Sequence, residues 1–321
     1  MQERFPRKRS LASLLVVVIV IAIIAESDII SWGGVAESLQ EIGWQSFLVA
    51  LCLAIVQYVF VALRFIVLLA RESISPFQIC RIFTNGQLFN HLFPARAGDL
   101  YKVLALKRES GDALFSTAHV VSALILERAI STMVLILFIV TLTDWSTIGV
   151  ADLTFVDRGR QLQIGLFITG LALLALYFAQ KRFPRLRAWL RELKRGFMII
   201  LDLRKFVLVV CLSVAMWTLE VLSMKFVAAP LGIDLQLGQG LFVLLLLNLG
   251  IAVPITLGNI GTYEAALVLG LGLWGIGAND GVAIAISHHF LQIGALVLLA
   301  GLFNGINLIS SRNRSPATSR S

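Results

Sequence analysis

Apolar runs of membrane length recur along this chain from Leu11 to Ile309, and the intervals between them leave no room for a separate soluble catalytic domain. Within a bilayer a helix satisfies its own backbone hydrogen bonds, and about 20 apolar residues carry it across a hydrocarbon core roughly 30 Å thick. Charged residues make up only 14% of the 321, where an average soluble domain holds about 25%. The fold class expected is therefore all-α and polytopic, with any chemistry done in or beside the membrane. The 27 Lys and Arg outnumber 19 Asp and Glu, but they sit in short segments beside the apolar runs. That placement fits orientation signals rather than a nucleic-acid partner. Cys52, Cys80 and Cys211 fall in or beside apolar segments with no ligand spacing, so they are expected as small core residues, with no metal site and no cofactor.

Six spans are expected: Leu11 to Ala25, Trp44 to Ala70, Val120 to Leu142, Leu162 to Ala179, Phe206 to Ala229 and Val282 to Ile309. Arg7, Lys8 and Arg9 before the first run resemble a signal peptide. Ile23, however, stands where a small residue should precede cleavage after Ala25, so a retained anchor helix is expected. Basic residues then thread the chain. The N-terminus (1–10), the connection 181–205 and the tail (310–321) are basic and expected in the cytoplasm, whereas 26–41 holds no Lys or Arg and lies outside. Arg158 and Arg160 alone dissent, on the outer side. The connection 181–205 is either an amphipathic helix on an anionic leaflet or a solvated loop. Together these signals place both termini in the cytoplasm.

Two short stretches break this pattern. Pro94-Ala-Arg-Ala-Gly98-Asp99 and Pro254-Ile-Thr-Leu-Gly258-Asn259 share Pro-x-x-x-Gly-[Asp/Asn] and lie 160 residues apart. Matching Pro/Gly interruptions in two halves of a membrane chain point to a duplicated transporter core and to its substrate site. Each stretch sits mid-way through a region, 77–116 or 238–276, whose ends lie on one side of the membrane. The expectation is two re-entrant helical hairpins entering from opposite faces. Residues 238–276 are also nearly long enough for two complete spans, which would give eight spans in all. The span before each break runs in opposite directions, as an inverted repeat requires. Repeat one covers about 44–180 and repeat two about 206–309, within a transmembrane domain of residues 11–309. Pro94, Gly98, Pro254, Gly258 and Gly261 are the expected hinge or break positions.

An Arg, Lys or Asp in mid-span costs on the order of 2.5–3.5 kcal/mol, and such residues usually face a partner or a wet cavity. Asn90, Arg96, Asp99 and Lys102 surround the first break. Cations, amide groups and free backbone N–H groups together suit a phosphate headgroup, although Arg96 and Lys102 could equally snorkel to the headgroup layer. Glu127 and Arg128 follow on the next helix. As neighbours they diverge by about 100°, so each is expected to need another partner: Arg64 or Arg96 for Glu127, and Asp99 for Arg128. Such a cluster either binds substrate or pins helices together. In the second half Asn259 and Glu264 belong to the restart of a helix, where Glu264 either caps it or neutralises a cation or relays a proton. His288 occupies the position equivalent to Arg128 and, with His289, is either a satisfied core histidine or a proton carrier. Trp217 and Glu220 share a helix face.

Asn90-His-Leu-Phe-Pro94-Ala-Arg96-Ala-Gly98-Asp99-Leu-Tyr-Lys102, Leu126-Glu127-Arg128 and Gly258-Asn259-Ile-Gly261-Thr-Tyr-Glu264-Ala resemble the lysylphosphatidylglycerol synthase transmembrane-region family, also described as flippase-like. The resemblance runs over about residues 12–310. It implies a polytopic inner-membrane protein with broken helices that handles lipid headgroups, and His288 departs from the Arg more usual there. Some members carry a fused soluble aminoacyltransferase domain. Only Ser310 to Ser321 follow the last span, so that transferase activity is not expected of this chain. The function expected is translocation, between leaflets, of an anionic or aminoacylated phospholipid or a polyprenyl-phosphate-linked lipid. Asn90, Arg96, Asp99, Lys102, Glu127, Arg128, Asn259, Glu264 and His288 would bind the substrate. The alternatives are a membrane component of aminoacyl-phospholipid or glycolipid synthesis, or a structural partner of a separate transferase; a homo-oligomer remains compatible with all of these.

Overall fold

The computed structural model describes residues 30–69, 74–93, 96–110, 117–143, 194, 197–252 and 256–314. Among them the structure is helical, with no strand. Helices α1 (Trp32–Leu69), α2 (Pro76–Leu92), α3 (Ala97–Ser110) and α4 (Thr117–Leu142) make up the first half. Helices α5 (Leu203–Ala228), α6 (Leu237–Ala252), α7 (Thr262–Gly272) and α8 (Ala278–Arg314) make up the second. Each half thus runs long, short, short, long.

Among the described residues four segments are long and apolar enough to cross a bilayer: Trp32–Leu69, Thr117–Leu142, Leu203–Leu231 and Ala278–Ser310. They coincide with four of the six expected spans. The remaining two, Leu11 to Ala25 and Leu162 to Ala179, lie outside the described residues, as does most of the basic connection. Helix α1 is bent at Gly43, where φ is 66° and ψ 155°, so its membrane-length part starts at Trp44. The four short helices have 17, 14, 16 and 11 residues. At 1.5 Å per residue these are about 16 to 25 Å long, less than the hydrocarbon thickness. Region 238–276 holds a pair of short helices, α6 and α7, packed on each other.

Local chemistry sets the boundaries. Ser75 caps α2, taking the Gln78 N–H at 3.3 Å while the Gln78 side chain takes the Ser75 N–H at 3.2 Å, and Pro76 fills the first helical position. Helix α1 is the axis of the bundle, packing on α5, α8, α2 and α4. It approaches α5 closely at Ala50, a small buried position whose carbonyl the Ser223 hydroxyl reaches at 3.2 Å, while Ala54 packs on Ala295 and Leu296 of α8. The Trp217 indole ties α5 to α4 by donating to the Ser131 carbonyl at 3.0 Å. Outward faces such as Ile125, Met133, Ile136 and Val140 of α4 stay exposed, as a lipid-facing surface requires. One expectation fails here. Cys52 and Cys211 are exposed on outward faces, while Cys80 is half-buried against the core; apolar periodicity over a lipid-facing helix does not mark which side is inside.

Candidate functional site

The two hairpins bring their broken ends together. After α2 the chain turns extended at Phe93, and Arg96 takes a left-handed φ of 53° just before α3. In the second half Gly258 (φ 63°), Asn259 (φ 58°) and Gly261 (φ 85°) form a left-handed run before α7. Glycine enters this region freely, while Arg96 and Asn259 do so at a cost of order 1–3 kcal/mol each, which their surroundings must hold in place. The junction is tight: a Cβ on Gly258 would lie 2.9 Å from the His91 carbonyl oxygen. Pro94 and Pro254 lie outside the described residues. Gly98, expected at the break, is helical, and its role is packing: a Cβ there would fall far inside contact distance of the Gly86 carbonyl oxygen on α2.

Asp99 and Glu264 occupy the same place, the third residue of the helix that restarts after each break. Asp99 Oδ1 accepts from Asn90 Nδ2 and from Lys102 Nζ, both at 2.9 Å, and the Asp99 N–H donates to Asn90 Oδ1 at 3.2 Å. Lys102 also donates to Gln87 at 2.8 Å and lies 4.5 Å over the Phe83 ring. It is wholly buried. Asn90, Asp99 and Lys102 thus lock α2 to α3. Glu264 Oε2 accepts the Gly261 N–H at 2.6 Å, the capping role, and its Oε1 meets His289 Nδ1, also at 2.6 Å.

Three spans meet at a second ionic knot. Arg64 of α1 pairs with Glu127 of α4 and donates to the Ser213 hydroxyl of α5 at 2.9 Å. Arg64 is therefore the partner Glu127 takes. Asp99 pairs with Lys102 instead of Arg128. The nearest carboxylate to Arg128 is its own neighbour, with Nε 3.7 Å from Glu127 Oε2. The long arginine side chain curls back despite the 100° divergence. Arg96 makes no ion pair among the described residues.

Between these groups lies a central cavity of about 150 Å³. The first half contributes Asn90, Arg96, Glu127 and Arg128 to its wall, and the second half contributes Glu220, Asn248, Asn259 and Tyr263. Arg96, Arg128 and Thr132 also line a second space of about 760 Å³, whose remaining wall is largely the aliphatic face of α4 from Val121 to Ile136. Two arginines thus stand where a polar interior meets an apolar, outward slot. A third groove, about 580 Å³, runs between α7 and α8 along Val268, Leu269, Val282, Ile286 and Phe290, with Glu264 and His289 in its wall.

Asp99, Lys102, Glu264 and His288 do not line the central cavity; Asp99 lines the slot along α4. His288 is fully buried, with Nδ1 2.8 Å from the Tyr263 hydroxyl and Nε2 3.3 Å from Gln292. The sequence reading passed over Gln57, Tyr58 and His91, which do line the cavity. His91 stood inside the first motif, beside Asn90, and that adjacency was its signal; nothing in the apolar run around Gln57 and Tyr58 marked the inner face beyond their polarity. Among the described residues no group of His, Cys, Asp and Glu could hold a metal ion.

A helical integral membrane protein, built of two similar halves whose broken hairpins enclose a charged cavity, is the class that fold and site define. The lysylphosphatidylglycerol synthase transmembrane-region family model matches residues 10–301, and the chain belongs to that family. It is also similar to a UPF0104 membrane protein of Methanocaldococcus jannaschii, 25% identical over 218 residues that cover 66% of this chain and 91% of that protein. No solved structure matches it.

Proposed function

We propose that this protein moves a phosphate-bearing membrane lipid between leaflets. The observation that carries the reading is the placement of Arg96 and Arg128, shared between the central cavity and the apolar slot along α4. A lipid entering sideways would lay a tail along α4 and bring its phosphate to two guanidinium groups, whose planar forks match phosphate oxygens. Asn259 supplies an amide group from the second break, while the Asn90 amide is engaged by Gln87 and Asp99. Asp99 and Lys102 hold the first break in shape, and Glu127 with Arg64 holds the wall. The substrate class is an anionic or aminoacylated phospholipid or a polyprenyl-phosphate-linked lipid, in a bacterial-type inner membrane with both termini in the cytoplasm.

The matching order of helices in the two halves supports an inverted repeat. The ends of α2 and α6, Leu92 and Ala252, lie 160 residues apart, the same spacing as the two motifs. Rocking of one half against the other about the fixed cavity would then expose it to each side in turn. A second reading, a membrane component of aminoacyl-phospholipid synthesis working with a separate transferase, draws on the family description alone. Mass spectrometry of lipids that copurify with the protein separates signal from background. We expect one phosphate-lipid class enriched over the bulk membrane with wild type and lost in Arg128→Ala, and equal lipid profiles in the two would remove the proposed site.

A further inference from the structure

Where the central cavity approaches the α7–α8 groove, two histidines face a shared problem. His91 lines the cavity and His289 lines the groove, and their ring centroids are 6.3 Å apart. His91 Nε2 is 3.3 Å from the Tyr58 hydroxyl, and His289 Nδ1 meets Glu264. The other nitrogen of each ring, His91 Nδ1 and His289 Nε2, is buried with no hydrogen-bond partner among the described residues. Buried polar atoms are normally satisfied, so a pair left bare beside a cavity marks a place that takes up something small and polar. The Glu264 carboxylate can only accept, which puts the proton of neutral His289 on Nδ1 and leaves Nε2 as a bare lone pair.

We infer that His91 and His289 form a proton-binding site whose occupancy is coupled to an anionic headgroup held by Arg96 and Arg128. The inference rests on the headgroup reading above. The step is simple: a proton from water binds His289 Nε2, an N–H bond forms, and the imidazolium is met by Glu264 at 2.6 Å. Arg128 lines the same cavity as His91. With the cavity empty, its positive charge opposes a second positive charge on that wall. A phosphate on Arg128 cancels the opposition, so headgroup and proton favour each other, and linkage makes the effect reciprocal. The other groups facing the pair are Tyr58 on α1, Glu220 on α5, Tyr263 and Glu264 on α7, and His288 on α8. His288 already has both nitrogens engaged, and of the two bare rings His289 is the one paired with a carboxylate, which makes it the acceptor. Glu264 also holds the Gly261 N–H, so the proton strengthens a contact at the second break.

The test is binding of dihexanoyl phosphatidylglycerol, whose phosphodiester does not titrate in this range, to the full-length protein in detergent at about pH 5.5 and about pH 8. Binding should be at least about fivefold tighter at the lower pH, with net proton uptake on binding seen by an indicator dye in weakly buffered solution. His289→Gln should bind equally at both pH values, with the wild-type affinity of the higher pH and no uptake. Wild-type binding that is independent of pH and takes up no proton overturns this inference and leaves the anion site standing. Uptake that persists in folded His289→Gln and His91→Gln overturns the assignment, and absence of binding at either pH overturns both readings. Should a variant fail to fold, the wild-type uptake measurement decides by itself.

Discussion

Arg64 and Glu127 are the costliest residues to unpair, and the two losses differ. Glu127→Gln leaves the Arg64 guanidinium buried with only Ser213 as a defined partner. Breaking a buried pair in this way costs about 3–5 kcal/mol. Arg64→Gln leaves Glu127 with Arg128 at 3.7 Å, so the loss should be smaller. The expected order of thermal stability in detergent is wild type, Arg64→Gln, Glu127→Gln, with the double variant recovering part of the loss of Glu127→Gln. Arg64→Gln should also weaken lipid binding, because Arg128 turns to Glu127. Equal destabilisation by the two single variants would contradict this division of roles. Residue identities of this kind were partly legible: intramembrane cost marks Arg64, Glu127 and Arg128 from the sequence alone, but cost does not say who pairs with whom. Lys102 and Arg96 look alike in the sequence, yet one is saturated by Asp99 and Gln87 and the other faces the cavity.

At the scale of elements, two close approaches at the breaks are open only to glycine. Gly98 lets α3 lie on the Gly86 backbone of α2, and Gly258 lets the second break abut His91 at a φ of 63°. Overpacking costs typically about 1–3 kcal/mol, and here the obstacle is backbone, which cannot rotate away. Gly98→Ala is expected at or above the upper end of that range and Gly258→Ala within it, both measured as loss of thermal stability and of bound lipid. Gly272→Ala, with open space around its missing side chain, serves as the silent control; a comparable loss there would show that helix composition rather than close contact governs these sites. The long spans and the existence of broken elements were readable from apolar length and Pro/Gly punctuation. Whether 238–276 forms a hairpin of short helices or two complete spans was not, since a run of apolar residues carries no mark of where it stops crossing. Cys52 and Cys211 went astray for the related reason that a lipid-facing side chain and a core side chain are equally apolar.

Across the whole molecule, the two halves share an order of helices and meet at their breaks, and the charges gathered there come from both. Neither half makes the cavity without the other: Arg96 and Arg128 belong to one, Asn259, Glu220 and Tyr263 to the other. Under the proposed function, relative motion of the halves would remake the wall while the phosphate stayed on its arginines. The direct measurement is lipid movement between leaflets in vesicles of phosphatidylcholine and fluorescent phosphatidylglycerol, with fluorescence of the outer leaflet quenched chemically. Wild-type protein should speed exchange well above protein-free vesicles, and Arg96→Ala and Arg128→Ala, folded and incorporated to the same level, should return it to the protein-free rate. Exchange at the wild-type rate in both variants, or no acceleration by the wild type, would contradict the account.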